Sequence, residues 1–121
     1  MKCGEGAGCR ERDLVRGRAA WAIWCAPAAL ILLGIVWESA RAALWTPSFL
    51  VMGVACLINA RRCGRLHCHV TGPVFVLASI ATVLDAGGVL AIGWPWTLLA
   101  AAIGTAIGYG LEQVRGLYLA K

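Results

Sequence analysis

Long apolar stretches separated by short polar connections dominate the chain. The first runs from about residue 19 to 37 and the second from about 44 to 60. Each is close to the roughly 20 residues that a helix needs to cross the hydrocarbon core of a bilayer. A signal peptide has a shorter apolar core of about 7–15 residues. We therefore interpret both stretches as uncleaved membrane-spanning helices.

The second half of the chain is apolar from Val74 to Leu111, with Asp85 as its one charged residue. This length is too great for one span and suits two. Thr71-Gly72-Pro73 is typical of a helix start, and Gly93-Trp94-Pro95-Trp96 is typical of a turn, because glycine ends helices and proline begins them. The pattern predicts helices at about 73–92 and 95–114.

Composition agrees with a membrane protein. Hydrophobic residues make up 60% of the chain and charged residues only 14%, against roughly 25% charged residues in soluble domains. We expect an all-α integral membrane protein with one bundle of about four transmembrane helices over residues 19–114. Residues 1–18 form an N-terminal tail, 61–72 a connecting loop, and 115–121 a C-terminal tail.

The basic residues predict an orientation. Ten of the eleven lysines and arginines lie around residues 1–18, 61–72 and 115–121, and Arg41 is the exception. Because basic residues accumulate in cytoplasmic loops, both termini and the 61–72 loop are predicted to lie on the cytoplasmic side. The membrane is predicted to be a bacterial inner membrane. Anionic lipid head groups, rather than nucleic acid, are the expected partners of Arg61, Arg62 and Arg65. The alternative for these arginines is a plain anchoring role at the end of a helix.

The 61–72 loop also carries two thiols and two imidazoles, at Cys63, His67, Cys68 and His69. Thiolate and imidazole are ligands of soft metal ions such as mercury, copper and zinc, and nearby arginines favour the thiolate form. The spacing is not that of a zinc finger. The alternative is that these cysteines are small residues without a chemical role.

Two further cysteines, Cys25 and Cys56, are expected at similar depth in the cytoplasmic halves of the first two helices, where they could meet and extend the ligand series. The tail adds Cys3 and Cys9. A single buried cysteine more often behaves as a small hydrophobic residue, and that alternative stays open.

Asp85 is the ionisable residue predicted to lie within a span, beyond the bilayer midplane. Intramembrane carboxylates commonly mark ion pathways, although a neutral, hydrogen-bonded packing residue is the alternative. Gly104 and Gly108 form a small-residue face on the fourth helix. We expect this face to pack within one chain, with a homo-oligomer interface as the alternative.

The general plan, a few helices with intramembrane and cytoplasmic cysteines, resembles small bacterial inner-membrane proteins that move mercuric or related soft ions. The leading hypothesis is a protein that handles or transports a soft metal cation. A non-catalytic membrane scaffold or accessory subunit is the second hypothesis, and a membrane thiol oxidoreductase is the third. No hydrolase or nucleotide-binding pattern is present, and we do not expect an enzyme.

Overall fold

The computed structural model describes residues 13–14 and 17–116. Within this part the chain is all-helical, with four long helices. Helix α1 is Arg18–Val36, α2 is Arg41–Cys63, α3 is Leu66–Ala86 and α4 is Trp94–Arg115. Each helix packs against the next along the chain, α1 on α2, α2 on α3 and α3 on α4.

The connection between α2 and α3 is much shorter than the predicted 61–72 loop. It consists of Gly64, in the left-handed conformation (φ 62°), and Arg65, which is extended. Glycine adopts this conformation without strain and ends α2 abruptly. Helix α3 then begins at Leu66, and Pro73, which we expected near its start, lies inside it. The predicted loop is therefore wrong, and most of its residues are helical.

Helix α1 has an irregular first half. Trp21–Cys25 forms a wide π-helical turn in which the Ala26 N–H bonds the Trp21 carbonyl, and regular α-helix resumes over Ala26–Val36. Pro27 is the second residue of this regular stretch and has no N–H to donate. Short π segments of this kind frequently occur at functional sites.

Helix α3 ends earlier than predicted, at Ala86, and a connection over residues 87–93 leads into α4. Gly88 and Gly93 both have positive φ, 71° and 81°. The fourth helix begins at Trp94 with Pro95 in its first turn, within one residue of the prediction. Asp85 therefore lies one residue from the end of α3 and not deep within a span, which corrects the expected depth.

Aromatic side chains fill the middle of the bundle. Phe49 of α2 stacks on Phe75 of α3 at 6.1 Å and meets the edge of Trp45 at 5.8 Å. The Trp45 indole donates to the Ile31 carbonyl at 2.9 Å, which ties α2 to α1. Glycine at position 34 leaves room for Trp45, because a Cβ atom on residue 34 would collide with the indole ring.

Three helices are long and apolar enough to cross a membrane: α1, α2 together with the preceding turn (Glu38–Cys63), and α3. Helix α4 is of similar length, but it carries three glycines and the polar residues Glu112, Gln113 and Arg115, which lower its hydropathy. The structure thus has the all-helical character predicted from the sequence, with three clear candidate spans.

The bundle has two distinct ends. Asp13, the α2–α3 connection and the last turns of α4 meet at one end, where Arg65 contacts both Asp13 and Glu112. We call this the thiol end, because Cys56 and Cys68 lie there. The other end holds Arg41, Trp45, Asp85 and Trp94, and we call it the tryptophan end.

Candidate metal centre

Three soft ligand atoms converge at the thiol end. The thiol sulfurs of Cys56 and Cys68 and a ring nitrogen of His67 all lie within 4.8 Å of one another. All three residues are buried, with exposed fractions of 0%, 0% and 1%. Cys56 comes from the last third of α2, and His67 and Cys68 come from the first turn of α3. The tight Gly64–Arg65 connection brings these two helix ends together.

Glu112 of α4 fixes the orientation of the His67 ring. Its Oε1 atom accepts from His67 Nδ1 at 2.6 Å and from the His67 backbone N–H at 3.2 Å. The Nδ1 atom therefore carries the proton, and Nε2 is directed toward Cys68 Sγ at 3.4 Å. Metal-binding histidines commonly have this arrangement, in which a carboxylate holds one ring nitrogen and the other faces the metal.

Arg65 connects Glu112 to the N-terminal segment. It donates to Glu112 Oε1 from Nε at 3.0 Å and to Asp13 Oδ2 from Nη1. Burial alone would lower the pKa of Arg65, but the hydrogen bonds and charges of Glu112 and Asp13 outweigh it and raise the pKa above its ordinary value. Because Arg65 is only 6% exposed, the predicted contact with lipid head groups is wrong for this residue.

Asn59 of α2 also binds the N-terminal segment. Its side-chain Nδ2 donates to Asp13 Oδ1 at 2.8 Å and lies 3.6 Å from Cys68 Sγ, while its side-chain Oδ1 accepts from the Leu14 N–H at 3.4 Å. Among the residues described, every buried side-chain nitrogen or oxygen has a hydrogen-bond partner. The polar groups around the sulfur atoms are therefore held in place before any ligand arrives.

The hydroxyl of Thr71 completes the surroundings of Cys56. It donates to the His67 carbonyl at 2.9 Å and lies 3.2 Å from Cys56 Sγ. Since its proton is used on the carbonyl, the Thr71 oxygen accepts from the Cys56 S–H when that thiol is protonated. Loss of the thiol proton frees the sulfur lone pairs for a metal ion.

Two aromatic rings cover the centre. Tyr109 of α4 stacks on the His67 ring, with centroids 4.4 Å apart and planes 14° from parallel. Trp24 packs against the cluster of Cys56, Ala60 and Cys68, and its indole donates to the Leu14 carbonyl at 3.3 Å. Side chains of α1 and α4 thus cover the centre.

The charged groups near the centre are paired. Asp13 and Glu112 are acidic, and Arg65 supplies a positive charge in contact with both. Buried charges are stable only when paired in this way.

Not all predicted ligands join the centre. Cys56, His67 and Cys68 form the group of mutually close ligand atoms, whereas Cys25, Cys63 and His69 lie outside it. Cys25 and His69 are exposed, and Cys63 is buried at the last residue of α2. Cys3 and Cys9 lie outside the described residues.

The other predicted residues contribute no ligand atom to the centre. Gly104 and Gly108 pack on α3 of the same chain, where an added Cβ would lie 2.7 Å from Val74 Cγ1 and 3.2 Å from the His67 carbonyl oxygen. Arg61 and Arg62 are exposed at the end of α2. Asp85 is at the opposite end, where its carboxylate accepts from the Gly93 N–H at 3.1 Å.

The sequence interpretation missed the residues that hold the ligands, chiefly Asp13, Asn59, Tyr109 and Glu112. One signal for Glu112 was present. It follows Gly104 and Gly108 at intervals of four, so it lies on the face that the glycines turn toward α3. Asp13 has no comparable pattern around it.

Neither the protein-family models nor the curated proteins nor the solved structures contain a significant match to this chain.

Proposed function

We propose that all four helices cross a bilayer. Outward-facing residues of α3 such as Leu77, Ile80 and Val83 are 63%, 50% and 52% exposed, whereas Asn59 and His67 are buried inside. An apolar exterior around a partly polar interior suits lipid surroundings and would be an aggregation hazard in water. Helix α4 supports a fourth crossing, because its Glu112 returns to the end of the bundle where Asp13 lies.

The thiol end faces the cytoplasm in this proposal, and the membrane is a bacterial inner membrane. The support is the distribution of charge. Arg18, Arg61, Arg62 and Arg115 lie at the thiol end, while Arg41 is the basic residue at the other end in the described part of the chain. Arg61 and Arg62 are placed to contact anionic head groups.

The function that the geometry supports best is the handling of a soft metal ion by Cys56, His67 and Cys68. The observation that carries this proposal is the convergence of two thiols and one imidazole within 4.8 Å, on a histidine oriented by a carboxylate. Simple packing of cysteines requires neither the imidazole beside them nor the buried Glu112 that orients it.

The donor set narrows the choice of ion. Two sulfurs and one nitrogen suit copper(I) or mercury(II), which bind few and soft ligands. A structural zinc site takes four protein ligands, so zinc would need a fourth from elsewhere. Binding would displace the thiol protons, which makes the affinity fall as the pH is lowered.

Transport across the bilayer requires a second position for the ion, toward the tryptophan end. Asp85 lines the cavity at that end together with Glu38, and we propose that its carboxylate provides this position. We therefore propose a role for Asp85 in an ion pathway. This role depends on metal binding at the thiol end.

The direct test is elemental analysis with thiol titration of protein purified anaerobically in detergent and loaded with copper(I), mercury(II) or zinc. We expect about one soft ion per chain in the wild type and in a Cys25→Ser/Cys63→Ser control. The Cys56→Ser/Cys68→Ser variant should bind none. Equal binding by the two double variants, or no binding by the wild type, would remove the centre from the account and favour the scaffold hypothesis.

A second candidate function is thiol–disulfide exchange, favoured by the closeness of the Cys56 and Cys68 sulfur atoms. In this reaction the Cys56 thiolate attacks a substrate disulfide and releases one substrate thiol. The Cys68 sulfur then displaces the second, leaving a Cys56–Cys68 disulfide. Full burial of both sulfurs makes this the weaker candidate. The test is to treat metal-free protein with oxidised glutathione. A loss of two hydrogens from the wild type, and no such loss from Cys56→Ser, would favour thiol–disulfide exchange.

A further inference from the structure

A cavity of about 190 Å³ opens at the tryptophan end, remote from the metal centre. It is smaller than the roughly 300–1,000 Å³ of pockets for drug-sized ligands, so it suits a small polar group. Its wall carries both signs of charge, because Arg41 of α2 lines it together with Glu38 and Asp85. Neither carboxylate forms an ion pair with Arg41 in the part of the chain that the structure describes.

The Arg41 guanidinium is held in a fixed orientation. Its Nε donates to the Gly34 carbonyl at 2.8 Å and its Nη2 to the Ile35 carbonyl at 3.3 Å, which binds it to the last turn of α1. Its face stacks on the Trp94 ring at 4.6 Å. A guanidinium has five N–H donors in a rigid fork. Two are accounted for by these carbonyls, so donors are left for an anionic group in the cavity.

One of the two carboxylates of the cavity, that of Asp85, is held by a hydrogen bond. Asp85 Oδ1 accepts from the Gly93 N–H at 3.1 Å, which leaves the other carboxylate oxygen for a donor. Glu38 lies on the short turn between α1 and α2 and is exposed. Opposite charges that line one cavity without pairing are complementary to a ligand that carries both charges.

We infer that this cavity binds a zwitterion with a phosphate and an ammonium group, and specifically the phosphoethanolamine head of a membrane lipid. The phosphate would accept from Arg41 and the ammonium would donate to Asp85 and Glu38. Trp37 and Trp96, which are 56% and 67% exposed, flank this end. Exposed tryptophans concentrate at the level of lipid head groups. The acyl chains would lie along the apolar outer faces of the helices.

This chemistry discriminates between common lipids. Phosphatidylglycerol has no ammonium group, so Glu38 and Asp85 would repel it. Phosphatidylcholine has a quaternary ammonium without N–H donors, so it cannot hydrogen-bond to the carboxylates. Both lipids keep the phosphate, and they therefore test the acidic side of the cavity separately from Arg41.

The test is a titration of detergent-purified protein with dioctanoyl forms of the three lipids, followed by native mass spectrometry and thermal unfolding. We expect phosphatidylethanolamine to bind at least about tenfold tighter than the other two. Arg41→Gln should weaken binding of this lipid at least about tenfold, the effect of losing a charge-assisted hydrogen bond. Arg115→Gln makes the same change of charge at the thiol end and should leave binding unchanged.

Asp85→Asn provides an independent variant, because its amide oxygen still accepts from Gly93. We expect it to reduce the preference for phosphatidylethanolamine over phosphatidylcholine to nearly one. Equal binding of the three lipids by the wild type, or an unchanged titration for Arg41→Gln, would overturn the inference. Soluble phosphoethanolamine that saturates the cavity as tightly as the lipid would overturn the lipid source and support a soluble zwitterion. Cys56→Ser/Cys68→Ser should bind the lipid normally, which separates this result from the metal proposal.

Discussion

Arg65 at the thiol end and Arg41 at the tryptophan end are both held inside the bundle, but by different partners. Arg65 pairs with two buried carboxylates, Asp13 and Glu112. Arg41 donates to main-chain carbonyls and stacks on Trp94, and it lines a cavity together with two carboxylates, those of Glu38 and Asp85. The charges of the thiol end are thus used to hold the bundle and its ligand atoms, and those of the tryptophan end remain available to a ligand.

This comparison predicts very different costs for losing the two arginines. Arg65→Met would leave Asp13 and Glu112 buried without their cation, and we expect it to lower the free energy of unfolding by about 3–5 kcal/mol. Arg41→Met loses two hydrogen bonds to carbonyls and a cation–π contact, for about 1–3 kcal/mol. Chemical unfolding in mixed micelles measures both. Arg61→Met, at an exposed position, serves as the control, with a change within about 0.5 kcal/mol. Equal costs for Arg65 and Arg41 would contradict the distinction between the two ends.

Glu112 tests whether the thiol end is arranged for a ligand or only for stability. Glu112→Gln can still accept from His67 but lacks the charge that strengthens the imidazole as a ligand. We expect soft-metal affinity to fall by about 10–100-fold, the usual effect of losing such a partner of a metal-binding histidine. Competition with a chelator of known affinity measures it.

The matched control for Glu112→Gln is Glu38→Gln, which removes the same charge at the tryptophan end and should leave metal affinity unchanged. If both variants bind metal equally well, Glu112 has no part in positioning His67 for a ligand.

Helix α4 joins the two ends, and its glycines test how closely it must approach α3. Gly104→Ala would put a methyl group against Val74, whose Cβ and both methyl carbons lie within 3.1 Å of it, so rotation of that side chain gives no relief. We expect a loss of about 1–3 kcal/mol in the free energy of unfolding.

Gly110→Ala on the same helix meets no atom within 4 Å. This substitution should be neutral or stabilising by up to about 1 kcal/mol, because alanine favours helix. Comparable destabilisation by both alanines would show that close contact with α3 is not what Gly104 provides.

The smallest expected effect concerns pH. A raised pKa means that the contribution of Arg65 to stability is complete below its ordinary, unfolded-state pKa and is lost only above the higher folded-state pKa. The difference in unfolding free energy between wild type and Arg65→Met should therefore be the same at pH 7 and pH 10. A difference that shrinks as the pH rises would contradict the ion pairing of Arg65.

Local patterns in the sequence were sufficient for the helices and for part of the centre. Apolar stretches indicated the four helical segments, and Gly93 with Pro95 marked the start of α4. The grouping of His67 with Cys68 followed from adjacency alone. The predicted start of α3 is wrong because proline is typical of a helix start, although a helix can continue through proline when its neighbours satisfy the freed carbonyl.

The partners of the centre were out of reach because they come from distant parts of the chain. Glu112 is 45 residues from His67, and Asp13 is 52 residues from Arg65. Nothing in the local sequence distinguishes Arg65, which is buried, from its exposed neighbours Arg61 and Arg62. That difference arises only when α4 and the N-terminal segment close over the α2–α3 connection.

X-ray absorption at the metal edge of the copper(I)-loaded protein counts the donor atoms around the ion and therefore tests the proposed metal centre. We expect two sulfur ligands and one imidazole nitrogen in the wild type, and no imidazole signal for His67→Gln. A shell of oxygen and nitrogen without sulfur, or a sulfur shell that persists in Cys56→Ser/Cys68→Ser, would contradict it.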